Sequence, residues 1–156
     1  EMCIRDSTWR AVRAEAMASI TPVETPIFAS DQHPGAVRQT MESLEGADVE
    51  SLVQVKQADF LKLEPRTDKG MLVFNPPYGE RMDPGDVVGL YERIGDRLKF
   101  HWPGFEAWVI SSNDEALKRV GLRPHKRHPV FNGSLECRWV GFSMYKGSKA
   151  DQFKSR

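Results

Sequence analysis

Cysteine is nearly absent from this chain, and its scarcity excludes two kinds of scaffold. Cys3 and Cys137 are the only two in 156 residues. They lie far apart and form no CxxC pair, so neither a disulfide framework nor a zinc site is expected. The four histidines, His33, His101, His125 and His128, show no metal-ligand pattern, and no metal is expected. His125 and His128, beside a proline, read as exposed. The cysteine usage suits a reducing, cytoplasmic setting. No apolar stretch approaches the roughly 18 residues of a membrane span. The opening residues, Glu1-Met2-Cys3-Ile4-Arg5-Asp6, hold no hydrophobic run, so no secretory signal is expected. An excess of one charge is missing too. Lys+Arg and Asp+Glu stand at 22 each, whereas free-standing nucleic-acid binders usually carry a basic surplus.

What remains reads as one globular domain, with 40% hydrophobic and 28% charged residues and enough length for a sizeable core. Trp9, Val12, Ala16 and Ile20 recur at helical spacing over 8–20. A proline-bearing break at 21–26 precedes a buried strand, 27–30, that ends in Asp31. A helix from Pro34 to about residue 44 stops at Gly46. Strands follow at 52–55 and 71–74. The stripe Val87, Tyr91, Ile94, Leu98 marks a helix laid on a sheet, and 107–111 is another strand. Asn113-Asp114 caps a short helix closing at Gly121. Asn132-Gly133 signals a two-residue hairpin, with a second arm over 135–145 and a polar tail over 147–156. Alternation of strand and helix predicts a mainly parallel α/β sheet with a C-terminal antiparallel hairpin at its edge.

One motif carries chemistry. Asn75-Pro76-Pro77-Tyr78 follows the apolar run Met71-Leu72-Val73-Phe74. A shuffled chain of this composition would contain that tetrapeptide ~2 times in 10,000. The plain alternative is a proline turn closing a strand. Against it, the motif falls where open α/β sheets bind ligands, beyond the carboxyl end of a strand. An amide, two prolines and a ring at that place form a rigid polar pocket beside a stacking surface. Such a pocket suits gripping a planar exocyclic amine. Asp31 and Asp59 also end strands. Each either caps a turn or accepts hydrogen bonds from a nucleoside, Asp31 from ribose hydroxyls and Asp59 from an adenine amino group with Phe60 as apolar wall. Lys118, Arg119, Arg123, His125, Lys126, Arg127 and His128 crowd a short span, as a local nucleic-acid patch or as solvated surface.

The motif resembles the signature of class I S-adenosylmethionine-dependent methyltransferases acting on exocyclic amines. Its extension through Gly79-Glu80-Arg81, with Leu90-Tyr91, Leu98-Lys99, Trp108 and Asn132-Gly133-Ser134-Leu135-Glu136-Cys137, is similar to the 23S rRNA guanine-N2 methyltransferases and their THUMP-containing relatives. The likeness covers 9–146. It implies a Rossmann-like catalytic domain, here 1–146, that moves a methyl group from S-adenosylmethionine to guanine N2 in RNA. Asn75, Pro76, Pro77 and Tyr78 would form the catalytic set. Asn75 would accept one hydrogen of the amine, the Pro76 carbonyl would accept the other, and Tyr78 would stack on the flipped base. Asp31, Asp59, Phe60 and Asn75 would hold the cofactor, while Glu80 and Arg81 would order the loop.

Two departures qualify that likeness. Residues 1–26 contain no glycine, so the family's glycine-rich loop, and the first strand before it, are missing. The THUMP domain is missing too. The expectation is an N-terminally truncated catalytic domain, monomeric and inactive alone, that meets RNA through domains outside this chain, with residues 1–6 read as foreign sequence. A tRNA or DNA amine methyltransferase and a non-catalytic binding fragment are the alternatives.

Overall fold

The computed structural model describes residues 2–78 and 83–145. The Gly79-Glu80-Arg81 extension and the tail 147–156 lie outside the described residues. The chain divides into two compact units, Glu1–Ala58 and Asp59–Arg156.

The first unit runs α1 (Met2–Ala18), β1 (Ile27–Asp31), α2 (Pro34–Gly46), a 3-10 turn (Glu50–Leu52) and β2 (Val53–Gln57). Helix α1 starts earlier than its apolar spacing suggests and stops at Ala18. There the Ser19 amide bonds the Glu15 carbonyl and its hydroxyl donates to the Ala16 carbonyl. Pro34 opens α2, where a missing N–H costs nothing, and the His33 ring accepts the Gly35 N–H. Strands β1 and β2 pair in parallel, from Ile27 opposite Val53 to Asp31 opposite Gln57. Among the described side chains of this unit none is buried.

The core belongs to the second unit. It comprises a 3-10 turn (Phe60–Lys62), β3 (Gly70–Phe74), α3 (Pro84–His101), β4 (Phe105–Ser111), α4 (Asp114–Arg119), β5 (Lys126–Asn132) and β6 (Leu135–Ser143). Its sheet has the order β3-β4-β6-β5. Strand β3 pairs with β4 in parallel, while β6 runs antiparallel to both β4 and β5. The hairpin therefore inserts its second arm beside β4 and leaves its first arm at the edge. Gly133 turns it at a φ of 63°, the left-handed conformation that glycine adopts without strain. The first arm begins at Lys126. Charged residues on an edge strand carry no apolar alternation to announce it.

Val87, Tyr91, Ile94 and Leu98 of α3 are buried with Ala107 and Val109 of β4 and Val140 and Phe142 of β6. Each large aliphatic so buried contributes about 1.5–3 kcal/mol. Helices α3 and α4 meet closely at Gly95, where an added Cβ would stand 1.8 Å from the Val120 carbonyl oxygen. Arg97 reaches from α3 to the loop before β3, donating to the Leu63 carbonyl at 2.7 Å and to Glu64 Oε1 at 2.6 Å. Among the described residues no helix is long and apolar enough to cross a membrane.

Candidate active site

Strand directions bring the polar residues of the second unit together. With β3, β4 and β5 all running opposite to β6, their carboxyl ends and the start of β6 share one rim of the sheet. Asn75 follows β3, Asn113 follows β4, and Asn132 ends β5. These are the only three asparagines in the chain, and all three act on Tyr78. The Tyr78 hydroxyl donates to Asn75 Oδ1 at 2.5 Å. The Asn113 Nδ2 donates to the Tyr78 carbonyl at 3.1 Å. Burial pushes the Tyr78 phenol above its ordinary pKa, with the Asn132 side chain pulling the other way and Cys137 adding to the rise.

A second line of hydrogen bonds ties this rim to the core. The Tyr91 hydroxyl, fully buried, meets Ser111 Oγ at 2.7 Å. Burial first of all pushes its pKa up to about 12, against the opposing bond to Ser111. Ser111 Oγ also accepts the Asn113 N–H at 3.1 Å, and Asn113 Oδ1 caps α4 by accepting the Ala116 N–H at 2.9 Å. Tyr91, Ser111, Asn113, Tyr78 and Asn75 therefore form one connected chain from the interior of α3 to the exposed amide. Its inner end, Tyr91 to Ser111, is buried, and buried hydrogen bonds rigidify what they hold.

Asn75 and Pro77 are exposed, while Pro76 and Tyr78 are half-buried. Asp59 and Phe60 lie in the same unit. Asp59 Oδ1 accepts the Leu61 N–H at 3.0 Å and Oδ2 lies 3.8 Å from the Lys62 ammonium. The Phe60 ring packs edge-on to Phe74 at 4.6 Å and stacks on Trp102 at 5.8 Å. Asp31 belongs to the first unit, where it is exposed and its Oδ1 accepts the His33 N–H at 2.7 Å. Both aspartates thus serve as turn residues. Among the described residues no hydrogen bond is made by Asp31 Oδ2.

From local pattern Asn113 reads as a cap, Asn132 as a turn residue, Tyr91 as part of a helix stripe and Ser111 as part of a strand; none of them reads as a partner of Tyr78. The available signal was the rarity of asparagine and its recurrence at strand ends.

A strand-borne amide and ring thus lie at the carboxyl rim of a mixed sheet. The structure of SMU.472 complexed with SAH superposes with a TM-score of 0.79 at 23% identity, covering 89% of this chain and 37% of that chain. The chain belongs to the RMKL-like, methyltransferase domain family, whose model matches residues 2–141. It is 33% identical over 155 residues to the ribosomal RNA large subunit methyltransferase K/L of Pseudomonas putida (strain W619), covering 94% of this chain. It is 30% identical over 146 residues to the Legionella pneumophila (strain Lens) protein of the same name, covering 93% of this chain. The chain spans 21% of the length of each of these two relatives.

Proposed function

We propose that the rim around Asn75 holds the exocyclic N2 of a guanine in RNA, 23S rRNA foremost, for methylation by S-adenosylmethionine. The observation that carries this reading is the exposed Asn75 amide, held at a strand end by Tyr78 and backed by a hydrogen-bonded chain into the core. When bound, S-adenosylmethionine supplies an electrophilic sulfonium methyl. Asp31, through its remaining oxygen, suits the ribose, and Asp59 with Phe60 suits the adenine. Asn75 Oδ1 and the Pro76 carbonyl would each accept one hydrogen of the target amine. That pairing draws the nitrogen lone pair out of conjugation with the ring by positioning and electrostatics, without a strong base. The Tyr78 hydroxyl occupies Asn75 Oδ1 in this structure, so the arriving amine exchanges one donor for another. The ring, freed from that bond, is then placed to stack on the flipped base.

The test substitutes the chain for the matching stretch of the full-length Pseudomonas putida relative and measures methyl transfer to protein-free 23S rRNA. Mass spectrometry locates the label. The expected result is label on guanine N2, reduced about a hundredfold or more by Asn75→Ala with S-adenosylmethionine affinity nearly unchanged. Asp31→Ala should weaken cofactor affinity first. Label on adenine N6, or full activity in Asn75→Ala, would overturn the reading.

A further inference from the structure

The chain is neutral overall, yet three cations meet in one place. Lys118, Arg127 and Arg138 line a cavity of about 440 Å³, together with Asp114, Pro129 and Glu136. Their charges are not answered equally. Arg138 donates to Glu136 at 2.6 Å, and Asp114 adds a weaker electrostatic attraction. Lys118 donates to Glu115 at 2.6 Å. Arg127 is exposed and makes no ion pair among the described residues. The basic stretch of the sequence is thereby divided: Lys118 and Arg127 face this cavity, while His125 and His128 pack their rings around Trp108.

Two residues of the cavity wall are chain neighbours of residues that act on Tyr78: Asp114 follows Asn113, which holds the Tyr78 backbone, and Glu136 precedes Cys137, which acts on the Tyr78 phenol. A nucleotide turned out toward Asn75 brings its flanking phosphodiesters with it, and a guanidinium matches a phosphate with two parallel N–H bonds. We infer that this cavity binds the phosphodiester backbone of an RNA strand beside the target nucleotide. Arg127 is the principal contact and Lys118 the second. The inference rests on the proposed reading for its choice of RNA as partner.

The experiment titrates the isotope-labelled chain with a uridine hexanucleotide, with the same hexamer on an uncharged methylphosphonate backbone, and with hexaglutamate. Shifts should map to Lys118, Arg127, Glu136 and Arg138 with the charged RNA alone. Arg127→Ala should weaken RNA binding about tenfold and lower the log–log salt slope by about 0.7, the contribution of one single-strand phosphate. Lys118→Ala should act in the same direction, and Arg10→Ala, on an exposed helix elsewhere, should leave the affinity alone. The inference is overturned by any of three results: no shift at these residues at millimolar RNA, equal binding of the uncharged hexamer or hexaglutamate, or an unchanged salt slope in both Arg127→Ala and Arg127→Glu. RNA binding and methyl transfer are read separately, so failure here leaves the Asn75 reading standing, and loss of methyl transfer with binding intact sinks only the latter.

Discussion

Asn113 uses one amide for two purposes that chemistry can separate. Its oxygen caps α4 and its nitrogen holds the Tyr78 carbonyl. Asn113→Asp keeps the acceptor and loses the donor, whereas Asn113→Ala loses both. The alanine variant should cost about 1 kcal/mol of stability, read as a lower urea midpoint, and the aspartate variant should stay near wild type. Both should shift the Tyr78 resonances. An aspartate variant as unstable as the alanine variant would mean that the cap is not what Asn113 contributes. The same residue shows the limit of reading by sequence. The motif 75–78 is legible because its members are adjacent, but Asn113 meets Tyr78 across 35 positions, a distance no local pattern encodes.

Helix α3 is the element on which the second unit is assembled, and two of its positions test that role. At Gly95 any side chain would enter the Val120 carbonyl. Gly95→Ala should therefore destabilise the protein by about 1–3 kcal/mol or more, despite the better helix propensity of alanine. A stability gain in thermal unfolding would contradict the close crossing of α3 and α4. Two residues further on, the Arg97 hydrogen bond above all holds the Glu64 carboxyl below its ordinary pKa of 4.5. A folded-state pKa lowered in this way adds stability above the unfolded value and loses it as pH falls through the folded one. On acidification below pH ~4.5, wild type should lose more stability than Glu64→Gln. Added salt should shrink the difference, because Glu64 is exposed. The apolar stripe of α3 was plain in the sequence, since every fourth or third residue repeats. The loop that Arg97 pins was not, because a single ion pair leaves no periodic trace.

Across the whole molecule, burial is uneven. Among the described residues the buried core lies within 87–144, and the side chains of the first unit include none that is buried. Amides of β1, β2 and α2 should exchange with solvent much faster than those of β4 and β6, because opening them uncovers little apolar surface. Hydrogen exchange read by mass spectrometry checks this, and equal protection of the two units would contradict it. By itself the sequence settled the elements that periodicity and turn chemistry specify: the helix stripe of α3, the hairpin at Gly133 (its loop one residue later than Asn132-Gly133, since Asn132 still pairs with Leu135), and the strand that delivers Asn75. These are local, written in spacing and in residues suited to particular backbone angles. Tertiary structure alone decided that β6 inserts beside β4, that three scattered asparagines converge on one tyrosine, and that among the described residues Arg138 and not Arg127 has an ion-pair partner. Each of those depends on which distant strand ends share a rim, and hydrogen bonds across that rim form only after the sheet has chosen its order.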